Sequence, residues 1–531
     1  MKEKRKLKLK KHYFHPITVF LIASLIVVFL SMIFSKLDLQ TTYNIVNENN
    51  FSLEPKLVAV ENLLTFDGMK FIISNSAKNF VSFTPLVMLL ISLIGLSVCE
   101  ATGFLEAFSK RKLRKLNKPQ LTFILIFIAI ISSLINDIGY AILIPLAAMI
   151  YLILCRNPLL GIITAFCGVS FGYGVSVFIG SMEVNLMPYT KTAAGLVDKN
   201  IHIALSSNLF IIIVTSIILS IVGTFIIEKL IAPKLSKYKE EKDFSKTQEY
   251  QIIDIDELEQ QRIAKEKNQK RGLKFSLIAF IITLLIFIYM LIPNLPSSGL
   301  LLDMKAKTYL NQIFGDNSYF QDGFAYMVSI LFLIVGIAYG IGAKSFKTDR
   351  ELIDKATINF EKIGSVILLM FVVSQFVAIF KKTNIGIIIT GWLTSIIESL
   401  NFSGLPLVIL VLVFIAIANL FLTAPATKWM IFSPVVVPLL MQSNISPQFA
   451  QFIMRAADSM TKGITPLLAS FTIYLGYLNI YNQDKDKPIT IGKSLKLIMP
   501  YFIVISIAWI LIVIGWYLLG LPLGPNVYPT I

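Results

Sequence analysis

The sequence predicts an all-α polytopic membrane protein with about nine transmembrane helices and two re-entrant hairpins in an inverted repeat. Composition is the first observation, because 55% of the 531 residues are hydrophobic and 15% are charged, unlike a soluble globular chain. The second is that apolar runs of roughly 20 residues, enough to cross a bilayer core of about 30 Å, recur from Ile17 to Leu519. The third is a set of matching residues in the two halves of the chain.

Apolar segments predict nine crossings. They lie near residues 16–36, 80–105, 159–190, 204–230, 275–292, 323–343, 358–395, 448–480 and 493–520. The first is expected to be a retained helix, because it is too long and too poor in flanking small residues for a cleaved signal peptide.

Basic residues set the expected orientation. Seven lie between Lys2 and Lys11, and six lie between Lys110 and Lys118 with no acid among them. Such blocks beside helix ends favour the cytoplasm, so the net charge of +16 indicates topology and contact with membrane lipid, not nucleic acid. We expect a bacterial cell-membrane protein with a cytoplasmic N-terminus and an external C-terminus.

Two apolar stretches, about 120–155 and about 405–441, are each interrupted midway. The interruptions are Asn136–Gly139 and Thr423–Lys428, and neither half is expected to be long enough to cross. Each stretch therefore predicts a helix, a turn at membrane depth and a returning helix. Non-helical backbone survives there only inside protein or beside a watery cavity, so each turn is expected to point at a site.

An offset of 289 residues relates the two halves. It pairs Pro145 with Pro434, Ser170 with Ser459, Gly174 with Gly463, and Ser176 with Thr465. Five expected crossings separate the hairpins, so they would enter from opposite faces, as in alternating-access carriers. The expected divisions are a first repeat at 1–230, a linker, fifth helix and outer loop at 231–322, and a second repeat at 323–531.

Two polar interruptions on the helices after the hairpins are candidate sites. Residues 170–176 hold two glycines and two serines, which suit cation or substrate binding but also close helix packing. Residues 455–466 hold Arg455, Asp458 and Lys462 in an apolar helix, where ionisable groups indicate function. An Arg fork suits a substrate carboxylate, although Arg455 and Asp458 could also pair with each other.

Four further polar or aromatic residues allow two interpretations each. Trp429 could stack on an aromatic solute or anchor the interface, and Lys428 could reach water or cap the second hairpin. Asp137 and Glu183 could each bind a proton or cation, or cap a helix.

Together these residues resemble the AbgT family of p-aminobenzoyl-glutamate transporters over nearly the whole chain. The motifs are Ser133–Tyr140 with Leu143–Ala148, then Lys428–Trp429 with Ser433–Pro434 and Val437–Pro438, then Asp458–Ser459 with Thr465–Leu467. The resemblance implies a homodimer that imports p-aminobenzoyl-glutamate or expels aryl compounds such as sulfonamides. It implies coupling to a proton or sodium gradient and no other cofactor.

The motifs and the interruptions give two sets of candidate residues. The candidates for substrate binding are Trp429, Arg455, Asp458, Pro466, Glu183, Ser176 and Thr465. The candidates for ion coupling are Asp137, Asn136, Ser170, Gly174, Ser459, Thr461 and Lys462.

The chain departs from the family pattern at three places. Gly174-Val175-Ser176 replaces Ser-Ala-Asn, Thr461-Lys462 replaces Thr-Asn, and Ala424-Pro425-Ala426 replaces serines. Another organic anion, such as a dicarboxylate, therefore stays an alternative substrate. The Lys462 ammonium could act as a tethered cation that makes transport sodium-independent, or could form a structural pair with Asp458 or Glu183.

The sequence does not favour an enzyme or a channel. An intramembrane enzyme would need clustered carboxylates, histidines or a metal site, yet the histidines are His12, His15 and His202, all in or near predicted loops or ends. The three cysteines form no CxxC pair, which argues against a metal site. Two opposed hairpins suggest a site closed from either side in turn, which a channel does not need.

Overall fold

The structure is a computed structural model that describes residues 14–47, 52–135, 137–235, 255–315, 317–484 and 486–531, with backbone alone over 255–262. Asn136, the first basic block and residues 236–254 of the linker therefore lie outside the described residues.

Long apolar helices dominate this part of the chain and confirm the predicted all-α membrane fold. Eight of the described helices are long and apolar enough to cross a membrane. They are Pro16–Lys36, Thr84–Ala101, Lys118–Ile135, Leu209–Lys234, Ile263–Tyr289, Tyr319–Ala343, Gly364–Lys382 and Ile491–Leu519. The number of crossings and their orientation stay predictions.

Both predicted hairpins are pairs of helices that fold back. The first comprises Lys118–Ile131, a 3-10 turn at Ser132–Ile135, and Ile138–Ile153. Its ends meet where the Thr122 and Tyr151 hydroxyls lie 3.1 Å apart.

The second hairpin comprises Gly404–Asn419 and Pro425–Gln442. The expectation that neither arm is long enough to cross is wrong for the first arm of the first hairpin. The 3-10 turn extends that arm to 18 residues, within the range that spans a bilayer.

Each hairpin is followed by a broken helix. The first broken helix comprises Pro158–Phe171 and Ser181–Ala194, and the second comprises Pro447–Lys462 and Phe471–Ile480. Both begin at a proline, which suits a first helical position because its missing N–H is not needed there. The two prolines lie 447 − 158 = 289 residues apart, which is the offset that the sequence motifs share.

The break in the second of these helices begins later than expected. Residues 455–462 remain helical and the chain leaves the helix at Gly463, whereas the first break starts at Gly172, as predicted. The polar side chains of 455–462 find buried partners, described below, so their backbone keeps its helical hydrogen bonds.

The single crossing predicted at 358–395 is wrong, because this segment folds as separate helices. Asp349–Lys362, Gly364–Lys382 and Ile385–Ser399 follow one another, and Asn384 turns the chain with φ of 61°. Asn tolerates this left-handed conformation better than other side chains. Gly103, with φ of 80°, likewise ends the predicted crossing at 80–105 and separates Thr84–Ala101 from Phe104–Arg111.

The segment between the first two long helices contains a β-hairpin. Strands Gln40–Val46 and Leu53–Ala59 pair antiparallel, with Gln40 opposite Ala59. The indole of Trp392 donates to the Gln40 carbonyl over 3.1 Å. The remaining elements are helices Phe66–Ser74, Ser76–Val81, Ile255–Tyr289 and Tyr309–Phe314, 3-10 turns Leu113–Lys115 and Ala232–Lys234, and a π-helix at Ile226–Ile231.

The centre of the protein is the helix Pro447–Lys462, in which every residue is buried. In contrast, Ile263–Tyr289 is mostly exposed although it is apolar. A helix with an apolar exposed surface suits contact with lipid, whereas the most polar helix is enclosed by protein. The fold therefore places the candidate residues at its core.

Candidate functional site

The tips of the two hairpins line one cavity. It has a volume of about 70 Å³. Ser133 comes from the first tip and Pro425 and Ala426 from the second. The remaining lining residues come from the first broken helix: Tyr173, Ser181, Met182, Asn185 and Leu186. Residues next to both hairpin turns therefore line one small, partly open space.

The first break packs directly on the central helix. The Gly174 N–H donates to Ser459 Oγ over 2.7 Å, and Arg455 Nε donates to the Gly174 carbonyl over 2.7 Å. A Cβ at Gly174 would lie 2.6 Å from Ser459 Oγ and would also meet the Arg455 carbonyl. Gly174 is thus required for the close approach of the first break to the central helix.

Arg455 is paired with Glu183. Their Nη1 and Oε1 atoms lie 2.5 Å apart, with 1% and 4% of the side chains exposed. Glu183 Oε2 also accepts the Gly180 N–H over 2.8 Å, so this carboxylate caps the helix Ser181–Ala194 while it neutralises the guanidinium. Arg455 therefore pairs across the two repeats and does not pair with Asp458.

Lys428 is fully buried and fixes the second hairpin. Its Nζ is hydrogen-bonded to Asp458 Oδ1, to Asn419 Oδ1 at 2.6 Å and to the Leu422 carbonyl at 3.2 Å. Lys428 therefore caps the tip, as one interpretation predicts, and does not reach water. Asn419 also donates to the Asp458 carbonyl over 2.8 Å, so the tip and the central helix form one network.

Lys462 is held more loosely. Its Nζ lies 4.0 Å from Asp137 Oδ1, 3.9 Å from Asp458 Oδ2 and 3.4 Å from the centre of the Tyr173 ring. Among the described atoms, neither of these two carboxylate oxygens has a hydrogen-bond partner. Lys462 is 2% exposed whereas Asp137 is 31% exposed. The structural pair predicted as an alternative is therefore formed with Asp458 and not with Glu183.

Trp429 lies behind the cavity wall. It is fully buried, and its indole N–H donates to Thr190 Oγ1 over 2.9 Å. The Thr190 hydroxyl donates in turn to Gln451 Oε1 over 2.7 Å. The side chain thus connects the second hairpin to both broken helices.

The remaining candidates mostly hold the breaks and tips in place. Thr465 donates to the Leu420 carbonyl over 2.8 Å, Thr461 donates to the Ala416 carbonyl over 2.8 Å, and the Ser170 and Tyr140 hydroxyls lie 3.0 Å apart. Ser176 is buried, and its hydroxyl has no described partner. Pro466 is half-buried in the second break.

Sequence reasoning missed four contributors to this network: Asn419, Tyr173, Thr190 and Gln451. Asn419 gave one signal, since it is a lone amide in the apolar arm Gly404–Asn419. The other three are uncharged residues of segments that already hold polar side chains, and only the fold brings them to the charged residues.

The buried charges balance. Asp137, Glu183 and Asp458 face Lys428, Arg455 and Lys462, which makes three acids against three bases. Ionisable groups at membrane depth are stable only when paired or wet. Within the described part of the chain, no three His, Cys, Asp or Glu side chains are grouped to hold a metal ion. The arrangement is suited to binding a charged solute or exchanging a cation.

Comparison with known proteins shows extensive similarity. The sequence model of the AbgT putative transporter family matches residues 8–531. The p-aminobenzoyl-glutamate transport protein of Escherichia coli strain K12 is 28% identical over 474 residues, which cover 89% of this chain and 88% of that protein.

Two solved structures are also similar. The YdaH transporter of Alcanivorax borkumensis is 26% identical, covering 96% of this chain and 100% of that chain with a TM-score of 0.48. MtrF of Neisseria gonorrhoeae, whose structure is described as illuminating a class of antimetabolite efflux pumps, is 27% identical, with coverages of 97% and 98% and a TM-score of 0.48.

Proposed function

The chain belongs to the AbgT family of transporters, and from this we propose that it is an ion-coupled secondary transporter of p-aminobenzoyl-glutamate or a related aromatic anion. The similarity to the E. coli protein over most of both chains supports this class of solute. Import and efflux of aryl compounds are both compatible with the proposal.

The observation that carries the proposal is the balanced cluster of six charges, five of them buried, beside the cavity between the hairpin tips. Burying each ion is unfavourable, and a purely structural core would be more stable with apolar residues. Charges retained at this depth indicate a solute or ion pathway.

The small size of this cavity indicates that the hairpin tips must move during transport. Its volume of about 70 Å³ is well below the roughly 300 Å³ of small-molecule pockets, so the tips must separate to admit an aryl solute. We propose that the two repeats, 1–230 and 323–531, are inverted and rock about this cavity, with 231–322 between them. The N-terminus would be cytoplasmic and the protein a homodimer in the bilayer.

The residues that line this space differ from the seven substrate residues proposed from the sequence. Tyr173 and Met182 offer the cavity an aromatic and an apolar surface, and Asn185 offers an amide. The proposed substrate-binding or shaping residues remain Trp429, Arg455, Asp458, Pro466, Glu183, Ser176 and Thr465. Since Arg455 is held by Glu183, a substrate carboxylate would have to compete with that acid for the guanidinium.

Coupling is proposed to run through Asp137 and Lys462, with a proton as the driving ion. The cluster is already neutral, so a proton or a sodium ion would each add one positive charge, but a sodium ion would also need several free oxygen ligands. Protonating Asp137, the most exposed acid of the cluster, would instead release Lys462 toward a substrate carboxylate. Asp458, Tyr173 and Lys462 surround this position. Ser170, Gly174, Ser459 and Thr461 would hold the breaks that support it.

Equilibrium binding to the purified protein tests the substrate class. We expect p-aminobenzoyl-glutamate to bind at least about tenfold, or ~1.4 kcal/mol, more tightly than p-aminobenzoate, glutamate or succinate alone. Arg455→Ala should weaken binding, whereas Arg350→Ala, whose side chain is 89% exposed, should not. Tighter binding of succinate would instead support the dicarboxylate alternative.

A further inference from the structure

A second cavity, of about 10 Å³, lies between Glu183 and residues 203–208. Its polar lining residues are Glu183, Ser207, Asn208, Gln448 and Gln451. Of the lining residues that the structure describes, only Glu183 is ionisable. This volume is close to that needed by one water molecule, and it is far too small for an organic solute.

One oxygen atom of this wall has no partner among the described residues. Asn208 Oδ1 accepts no hydrogen bond, whereas Glu183 Oε1 is paired with Arg455 Nη1 at 2.5 Å. A buried acceptor without a partner destabilises a protein by about 1–3 kcal/mol. A water between these groups removes that penalty, because buried water binds where several polar atoms face a small space.

The C-terminal tail, residues 520–531, joins the two walls of this cavity. On one side the Leu523 carbonyl accepts the N–H groups of Phe210 at 2.8 Å and Ile211 at 3.1 Å. On the other side the Pro529 carbonyl accepts the Ser446 N–H at 2.8 Å, and the Tyr528 carbonyl accepts the Ser446 hydroxyl at 2.8 Å. Ser446 immediately precedes the helix that carries Gln448 and Gln451.

The tail packs behind this wall, outside the residues that line the cavity. It has no helix, and within the described residues its pairings are short bridges such as Ile445 with Thr530. Leu523 is fully buried, but Tyr528 and Ile531 are 52% and 64% exposed. Segments with few buried contacts open at the lowest free energy.

We propose that this cavity is the water route between the Glu183–Arg455 pair and the membrane face that carries the C-terminus, and that the tail gates it. The pair is buried at the crossing of the two repeats, so exchange with that face requires a polar path. Asn208, Gln448 and Gln451 provide such a path, and the tail closes it by bridging residues 206–211 to Ser446. The inference concerns water access and does not depend on which solute is carried.

Thiol labelling tests the route without any substrate. Gln448→Cys places a thiol in the wall, in a Cys155→Ser background because Cys155 is the exposed native cysteine. Protein in nanodiscs is treated with a small cationic methanethiosulfonate reagent. Gly524→Val loosens the tail, because a Cβ at Gly524 would lie 2.5 Å from the Ser207 carbonyl oxygen. Gly515→Val is the matched control, since nothing lies within 4 Å of its Cβ position.

We expect slow labelling in the parent, the same rate with Gly515→Val, and a rate at least about tenfold higher with Gly524→Val, equivalent to ~1.4 kcal/mol in the opening equilibrium. Amide hydrogen exchange at Phe210 and Ile211 reports release of the tail. Rapid labelling of the Gln448→Cys thiol in the parent would show that the tail does not gate the cavity. Labelling that stays slow after the tail is released would show that the cavity is not the water route. If those amides stay protected in Gly524→Val, deletion of residues 524–531 releases the tail and is interpreted in the same way.

Discussion

Lys428 and Lys462 both lie beside Asp458, but they are held differently. Lys428 donates three hydrogen bonds and is completely enclosed. Lys462 lies near 4 Å from two carboxylate oxygens. An ammonium group whose three protons are all hydrogen-bonded is suited to stabilising the fold, whereas a loosely paired ammonium group can exchange partners at little energetic penalty. We therefore assign stability to Lys428 and coupling to Lys462.

Replacing Lys428 should destabilise the fold. Lys428→Met leaves Asp458 buried without its main partner, which should lower the free energy of unfolding by about 3–5 kcal/mol. Lys355→Met is the control, because its pair with Glu351 is 43% and 39% exposed and such pairs contribute under about 1 kcal/mol. Unfolding in detergent measures both. Equal losses would contradict the structural role of Lys428.

Replacing Lys462 should change the ion requirement. With a proton gradient fixed, parent uptake should be the same in sodium and in choline. Lys462→Asn removes the tethered ammonium from between Asp137 and Asp458, so uptake should fall in choline and recover in sodium. Lys462→Arg keeps the charge and should remain insensitive to sodium. A Lys462→Asn protein as insensitive as the parent would refute the tethered cation.

The sequence identifies charged residues of the site better than their partners. Arg455, Asp458, Glu183 and Asp137 stand out because charges in apolar segments are rare. Their pairing could not be predicted, since Arg455 meets Glu183 across 272 residues, 455 − 183, and only tertiary packing sets that contact. Asn419 and Tyr173 carry no charge and gave weaker signals.

At the scale of elements, the two breaks and two hairpin tips form the site together. Gly174 in the first break touches Arg455 and Ser459 on the central helix. Thr465 in the second break bonds the second hairpin at Leu420. Each break is therefore held by a neighbouring element. That element supplies hydrogen bonds to backbone N–H and C=O groups that lipid could not supply.

A methyl group at Gly174 should disturb this crossing. Gly174→Ala forces the first break away from Arg455 and Ser459 and should destabilise the protein by about 1–3 kcal/mol, with loss of uptake. Gly323→Ala, in a helix where nothing lies within 4 Å of the new Cβ, should be neutral or stabilising by about 1 kcal/mol. Thermal unfolding and uptake are measured for both. Normal uptake with Gly174→Ala would show that the close approach is not required.

Element prediction succeeded where polar residues interrupt long apolar runs and failed where a single residue turns the chain. Both hairpin turns and the first break were located from Gly, Pro and charged residues. The turn at Asn384 was missed although it ends the polar run Lys381–Asn384, because an asparagine in such a run does not by itself distinguish a positive φ from helix. The second break was predicted too early, because its polar residues pair without leaving the helix.

At the scale of the whole molecule, the order of elements repeats after 289 residues. A hairpin and a helix that begins at a proline occur in each half, at Pro158 and Pro447. The proposed opposite orientation of the halves places the base of the first hairpin in the cytoplasm and the C-terminal tail outside. This orientation follows from the basic residues beside the helix ends and from the predicted number of crossings.

Labelling of Cys155 tests the orientation. Cys155 is exposed at the base of the first hairpin, whereas Cys99 and Cys167 are buried. An impermeant maleimide should label the native protein in inverted vesicles and not in right-side-out vesicles. Cys155→Ser should abolish that labelling. Labelling only in right-side-out vesicles would reverse the proposed topology.

Uptake into proteoliposomes tests the central claim most directly. Radiolabelled p-aminobenzoyl-glutamate is supplied with proton and sodium gradients imposed separately, in both directions, beside Arg455→Ala and Arg350→Ala proteins. We predict flux driven by the proton gradient, lost in Arg455→Ala and retained in Arg350→Ala. Absence of flux under every gradient, or equal flux in liposomes without protein, would contradict ion-coupled transport of this solute.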